Sequence, residues 1–494
     1  MHGFTKPFEK PIVILFILIF SIIVCINFGS YSFWFDEYCT VSFIRNGRSI
    51  LDLLKIFITD EVTNPPLYDI FMYYWYRMVP HTQGWLLLPN LIFYVTGAVC
   101  IGKTPFIKEK HGTIACLVLC FINSFAIQFL IYELRSYAML FMFSAVVLYM
   151  HEVYKKQDDQ KNGTGLALSM LCLSFTHYFG LLTVSGFGIY DLVRAVREKK
   201  YKILLPYIPA AVTGGAYLGM VMYFKNRSLA SSWVGKPDLK SVLGMVHCLF
   251  GRNILYAVVF LILMVFYVLS AVYGKNREKL TGYGLDGCIK CMFIIVYVIS
   301  TVFAYSFFIN PGGSIFVARY FTAIIPEVIY LFTVFEVFLS ERLMEKYGQL
   351  VAMIPLAVII TAGIAGGYSK FSEAFHQKTN EGEAARIITE DLSDRTGKTA
   401  IISPEPGYMY NGGGYGFDGW REFHFEGERY TFLNEDAEIK SGDFENIVVL
   451  KNSVKEEDIP LFQGYELLKT EDISLELYDK SFYRAYIYAT DQNL

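Results

Sequence analysis

The chain has 494 residues, 54 % of them hydrophobic and 17 % aromatic, with a formal net charge of −3. Together with a mean hydropathy of +0.38, this excludes an ordinary soluble globular protein and fits a polytopic membrane protein. The charge averages an apolar body with a polar tail that begins near residue 370, and no nucleic-acid partner is expected.

The first apolar run, 12–28, is too long for the core of a signal peptide and lacks a small-residue cleavage site. Further apolar runs follow it, so it reads as an uncleaved helix. A crossing takes about 20 apolar residues. The expected spans are 11–29, 85–102, 113–131, 137–153, 165–176, 179–193, 203–224, 253–273, 291–309, 319–339 and 349–368. The pair 165–176 and 179–193 is short in each half, and one long helix is the alternative. Loop charges arbitrate. Lys103, Lys108 and Lys110; Lys155, Lys156 and Lys161; Arg194, Arg197, Lys199, Lys200 and Lys202; and Lys275, Arg277 and Lys279 share one side only if 165–193 crosses twice. By the positive-inside rule that side is cytoplasmic.

The expected fold class is therefore a polytopic α-helical membrane protein of eleven transmembrane helices in the plasma (inner) membrane. Its N-terminus lies inside and its tail outside. The membrane domain is expected over 1–369 and a small extracytoplasmic α/β domain over 370–494. This topology puts Asp36, Glu37, Asn64, Glu133, Arg135, His177, Tyr178 and Arg319 on the outer face, and the informative charges cluster there.

Phe35-Asp36-Glu37-Tyr38 follows the first span. A carboxylate at a membrane edge is costly unless paired, hydrated or used, which makes the pair a candidate site; a solvated loop start with a helix-capping Asp is the alternative. Adjacent residues on a helix point about 100° apart, so the two acids would serve different tasks. Later in the outer loop 30–84, Ser49-Ile50-Leu51-Asp52 reads as a capping box, with Ile50, Leu53, Leu54 and Phe57 on one helix face. Such a helix should lie in the membrane interface. Asn64-Pro65-Pro66 breaks the chain, and 67–76 is an aromatic helix or a re-entrant piece.

Tyr132-Glu133-Leu134-Arg135-Ser136-Tyr137 occupies a loop too short to be a casual linker. Glu133 and Arg135, two apart, would not face each other on a helix. Arg135 suits an anionic phosphate, or else snorkels to lipid headgroups. Thr176-His177-Tyr178 sits at the outer apex of the split pair, where His177 is a catalyst or an interfacial hydrogen-bonder. Arg319, in Ala318-Arg319-Tyr320-Phe321, opens a span from outside. A cation is disfavoured at a helix N-terminus, so a nearby anion or a headgroup would explain it.

In the tail, a helix is expected over 383–392 and apolar or alternating runs over 399–402, 446–450, 473–477 and 482–488. Asn411-Gly412-Gly413-Gly414-Tyr415-Gly416 is read as a flexible loop, because no Lys-Ser/Thr follows and no helix clearly opens after it. The nine cysteines (Cys25, Cys39, Cys100, Cys116, Cys120, Cys172, Cys248, Cys288 and Cys291) lie mostly in apolar runs, and none is in the tail. Neither a disulfide-stapled ectodomain nor a zinc site is indicated.

In this order, Phe35-Asp36-Glu37, Asn64-Pro65-Pro66-Leu67-Tyr68, Glu133-Leu134-Arg135-Ser136-Tyr137, Thr176-His177-Tyr178 and Arg319-Tyr320 resemble the polytopic glycosyltransferases of the GT-C fold. The branch is the bacterial one similar to protein O-mannosyltransferases and the lipid A aminoarabinose transferase. The resemblance covers about 1–340, and Leu134 departs from it, standing where Ala is expected. It implies a sugar donor carried on polyprenyl phosphate and an envelope acceptor that is a lipid, a polysaccharide or a protein. Asp36 would be the general base and Glu37 would orient substrate. Arg135 and Arg319 would steady the leaving phosphate, with Asn64, Tyr68, Glu133, Tyr137, His177, Tyr178 and Tyr320 lining the substrate site. No cofactor is implied with certainty. A divalent cation could bridge Asp36 and Glu37 to the donor phosphate, although two adjacent acids alone are a poor ligand set. The rival readings are a flippase or exporter of lipid-linked sugar, which should carry polar groups at several depths, and a non-catalytic lipid-sugar binder.

Overall fold

The computed structural model describes residues 9–30, 32–45, 48–59, 64–157, 159–224, 234–273, 284–310, 313–375, 380–393, 395, 397–402, 415–425, 429–433, 438–440, 442–451, 461–473 and 483–490. The chain divides into two compact units. One comprises Met1–Phe28, Ser49–Phe71 and Gly84–Phe375; the other comprises Gly29–Arg48, Met72–Gln83 and His376–Leu494.

The first unit is helical. Among the described residues, Gln83–Gly102, Tyr137–Gln157, Tyr178–Glu198, Tyr201–Val221, Leu285–Ile309 and Ala318–Tyr347 are long and apolar enough to cross a membrane. Two bent pairs raise the number to eight: Thr113–Phe121 with Ser124–Ile131, bent by 59°, and Leu239–Phe250 with Ile254–Ser270, bent by 75°. Lys10–Ile26 and Gln349–Ala365 are shorter apolar helices, and Gln160–Thr176 has 17 residues, so eleven crossings stands as a proposal. Side chains such as Leu15, Leu18, Leu261 and Ile262 point outward, as on a helix whose surroundings are apolar. At the centre lies Ile325–Tyr347, buried without interruption from Ile325 to Phe338. Pro326 sits in its first turn, where a missing N–H costs nothing.

The chain does break at His177. Helix Gln160–Thr176 ends there and Tyr178–Glu198 begins, with His177 extended at φ −162° and ψ 149°. In a continuous helix, Leu173 and Gly180 would be about 10 Å apart along the axis. Instead a Cβ placed on Gly180 would fall 2.2 Å from the Leu173 carbonyl oxygen. The two helices fold sharply against each other, and the close approach requires glycine.

Ionisable side chains also lie buried outside the motifs that the sequence singles out. His151 Nε2 is 2.9 Å from Asp191 Oδ2, and its Nδ1 is 3.0 Å from Lys290 Nζ. Lys290 also pairs with Glu152, and the Tyr207 hydroxyl donates to Asp191 over 2.8 Å. Lys155, one helical turn beyond His151, pairs with Asp286. Sequence reading missed this set because its members lie up to 139 residues apart, and none stands in a motif. Each charge faces an opposite one, as burial demands.

Helix Ile50–Thr59 opens on the expected capping box: Asp52 N–H donates to Ser49 Oγ over 3.1 Å, and Ser49 N–H to Asp52 over 3.2 Å. Its buried face is Leu53, Ile56 and Phe57, and the Phe57 carbonyl accepts from the Tyr217 hydroxyl. Pro65-Pro66 gives way to helix Leu67–Tyr76.

The second unit holds a five-stranded sheet, β1 (Thr399–Ile402), β2 (Tyr430–Leu433), β3 (Asn446–Lys451), β4 (Tyr465–Ile473) and β5 (Tyr483–Thr490), in the order β2-β1-β3-β5-β4. The first three are parallel, and β5 pairs antiparallel with both β3 and β4. Ala400, Ile402, Ile447, Val449, Tyr486 and Tyr488 form its core. Helix Asn380–Asp391 and strands β1, β3 and β5 lie where the pattern places them. Ile473 is instead the last residue of β4, and 474–477 lie outside the described residues. Contrary to expectation, a helix does follow the glycine run, Tyr415–His424. Residues 411–414 themselves lie outside the described residues.

Candidate functional site

Three of the motifs meet in the first unit. A π-helical turn, Ile127–Ile131, feeds the loop that carries Glu133 and Arg135. There the Arg135 N–H donates to the Glu133 carbonyl over 2.8 Å, a three-residue turn that commits the two side chains to different directions. Tyr137 then opens the next helix. Its ring lies 6.2 Å from those of both His177 and Tyr320, and His177 and Tyr320 are 4.9 Å apart. The Arg319 guanidinium stands 5.9 Å from the Tyr137 ring. Arg319 and Tyr320 belong to a 3₁₀ lead-in, Ala318–Ile324, ahead of the central helix. That lead-in is tied to helix Tyr137–Gln157 by the Ser144 hydroxyl donating to the Ala323 carbonyl over 2.6 Å.

A fourth motif is attached through a residue the sequence reading missed. The Tyr68 hydroxyl donates to Asn90 Oδ1 over 3.2 Å, and Asn90 Nδ2 donates to the Glu133 carbonyl over 2.5 Å. Asn90 is fully buried; a lone Asn within an apolar span was the signal that could have found it. Asn64 is buried too, and among the described residues its Oδ1 has no hydrogen-bond partner. Asp69, also overlooked, is buried in the first turn of helix Leu67–Tyr76, where the helix dipole favours a carboxylate. Tyr178 packs on Tyr217 and Val221.

The electrostatics of this cluster favour an anion. His177 is buried, and its Nδ1 accepts the Phe179 N–H over 3.1 Å, so in the neutral ring the proton sits on Nε2. Burial, and then the positive charges of Arg135 and Arg319, push its pKa down to about 3, which keeps the ring neutral. That Nε2–H and the Tyr137 hydroxyl are buried, and neither has a partner among the described residues. Leaving a buried donor unsatisfied costs about 1–3 kcal/mol, and here two such donors lie beside two guanidinium groups.

Asp36 and Glu37 belong to the second unit, on helix Phe35–Ile44. Their surroundings differ. Glu37 is fully buried, and its carboxylate accepts the Trp34 N–H over 2.9 Å, capping the helix that carries it. Asp36, about 100° around the helix, is half-buried. Among the described residues no group of three or more His, Cys, Asp or Glu side chains is placed to hold a metal ion. Cys116, Cys120, Cys248, Cys288 and Cys291 are buried thiols.

No family model matches the sequence, and no curated protein matches it at the sequence level. The fold is nonetheless similar to solved structures. One is ArnT from Cupriavidus metallidurans bound to undecaprenyl phosphate, with a TM-score of 0.56 at 10 % identity, covering 97 % of this chain and 98 % of that one. That likeness is one of fold, and it extends over nearly the whole of both chains.

Proposed function

We propose that this protein transfers a sugar from a polyprenyl-phosphate donor to an acceptor outside the membrane, with inversion at the anomeric carbon. The observation that carries the reading is a pair of buried donors that have no partner among the described residues, His177 Nε2–H and the Tyr137 hydroxyl, beside Arg135 and Arg319. The likeness to a structure that binds undecaprenyl phosphate supports a lipid-linked donor. In this mechanism Asp36 takes the proton of the acceptor hydroxyl as its oxygen attacks the anomeric carbon. The bond from that carbon to the phosphate oxygen breaks, and polyprenyl phosphate leaves. Arg135, Arg319, His177 and Tyr137 meet the charge that grows on the leaving phosphate, while Glu37 fixes the helix under Asp36. The base contributes about 10²–10⁴-fold, and placed donors in a dry site contribute at least as much.

A flippase is the second reading, since the buried set His151, Glu152, Asp191 and Lys290 supplies charges at another depth. Those charges are closed on one another, which suits an interhelical tie better than a passing headgroup. The test is purified protein in nanodiscs with labelled undecaprenyl-phosphate sugars and an envelope extract as acceptor. Release of undecaprenyl phosphate matched by label on the acceptor is expected. Movement of intact donor across vesicles without release would replace the transferase by the flippase.

A further inference from the structure

Within the second unit, helix Phe35–Ile44 lies directly on helix Tyr415–His424. The approach is backbone to backbone. A Cβ placed on Gly419 would fall 1.8 Å from the Tyr38 carbonyl oxygen and 3.0 Å from the Ser42 nitrogen. Tyr38 and Ser42, four residues apart, mark the helix face that meets Gly419. One turn on, the buried Tyr38 and the half-buried His424 share a hydrogen bond of 2.8 Å between the hydroxyl and Nε2. Phe33 packs on Phe423 with ring centroids 5.1 Å apart. The far side of helix Tyr415–His424 is held by the sheet. Trp420 is fully buried with its ring 6.0 Å from Phe432 of β2, and Arg421 stands over the same ring at 5.9 Å. A continuous line of contacts therefore runs from β2 through Trp420 and Gly419 to the backbone beneath Asp36. Asp36 is about 200° around the helix from Tyr38, so the clamp grips the helix on the side away from that carboxylate.

We infer that helix Tyr415–His424 positions the Asp36 carboxylate for transfer, with Gly419 setting the distance between the helices and His424 fixing their rotation through Tyr38. This rests on the transferase reading above, and it gives the C-terminal domain a task within the reaction. His424 and Gly419 are positioning residues: they act on Asp36 through its helix and touch no substrate.

The test uses the full chain in nanodiscs with Gly419→Val, His424→Leu and His424→Gln. Gly419→Val forces the helices apart, so amide hydrogen exchange over 35–44 should speed up at least tenfold, with exchange in 137–157 unchanged. Transfer should show kcat reduced at least tenfold with donor KM within twofold, because the donor's phosphate site is untouched. His424→Leu should lower kcat in the same way, and His424→Gln, which can still bond to Tyr38, should recover most of it. Should Gly419→Val fail to fold, the His424 pair carries the test alone. Unchanged exchange over 35–44 in the folded variants overturns the docking, whatever the activity. Faster exchange with unchanged kcat, or equal loss in His424→Leu and His424→Gln, overturns the positioning role. A wild-type protein that transfers no sugar sinks the transferase reading instead, and that result is read independently of the exchange data.

Discussion

The side chains proposed for the transfer differ in what each can be asked to do. Arg135 brings a permanent charge and a fork matched to phosphate oxygens, whereas Asp36 brings only a proton acceptor. The proposed transfer gives each a separate part in one step, the base to Asp36 and the leaving phosphate to Arg135. Arg135→Ala and Asp36→Asn should therefore each lower kcat by about 10²-fold or more, measured as undecaprenyl phosphate released under saturating donor. A near-normal rate for Arg135→Ala would remove its phosphate role. His177 gives a prediction of a different kind. Its pKa lies near 3, so the ring is neutral at every pH above that and donates from Nε2 throughout. Lowering the pH from 8 to 5 should reveal no ionisation of His177 in the kcat profile. An inflection near 6.5 in the wild type that vanishes in His177→Gln would show a histidine that charges during turnover, contrary to this assignment. Among these residues the sequence made the types and order visible. It could not show that the Glu37 carboxylate accepts the Trp34 N–H, since a cap and a catalytic acid look alike in Phe35-Asp36-Glu37-Tyr38.

Elements with local signals were legible. The Ser49/Asp52 capping box opened a helix, Pro65-Pro66 closed one segment before Leu67–Tyr76, and β1 lies at Thr399–Ile402 as its apolar run indicated. The helix that failed to show was Tyr415–His424. It carries Gly416 and Gly419 in two turns, and glycine disfavours a helix by about 1 kcal/mol per residue. What outweighs that preference at Gly419 is a partner helix nearly 400 positions earlier in the chain, and no local window contains it. The fold at His177 has the opposite character. Charge parity alone required a second crossing, and the backbone breaks there. Gly180→Val tests how tight that fold is. The added side chain meets the Leu173 carbonyl oxygen, 2.2 Å from where its Cβ must lie. Overpacking of this sort costs about 1–3 kcal/mol. A fall in melting temperature of the detergent-solubilised protein is expected; an unchanged value would mean that the two helices are looser than described.

At the scale of the whole molecule, the buried set on helices Tyr137–Gln157, Tyr178–Glu198 and Leu285–Ala304 ties three distant parts of the chain together. Removing one member should hurt more than removing an opposed pair. Lys290→Met leaves the largely buried Glu152 without its lysine and should cost about 3–5 kcal/mol, whereas Lys290→Met with Glu152→Met should recover much of that loss. Thermal unfolding of both variants in one detergent decides it: a double variant as unstable as the single would mean that the two charges are not coupled. The same helices give the break at His177 a further consequence. Helix Tyr178–Glu198 starts at the aromatic cluster and carries Asp191 to its meeting with His151. From residue 177 to residue 191 is a rigid rod of about 21 Å, at about 1.5 Å and 100° per residue. A one-residue insertion anywhere along it would swing Asp191 through about 100° and lift it from His151, or else turn His177 out of the cluster. Rod length and phase must both be right for the two ends to register together. The helix is thus a gauge between a polar site and an ionic one, and deletions or insertions within it should be far less tolerated than substitutions on its outward face.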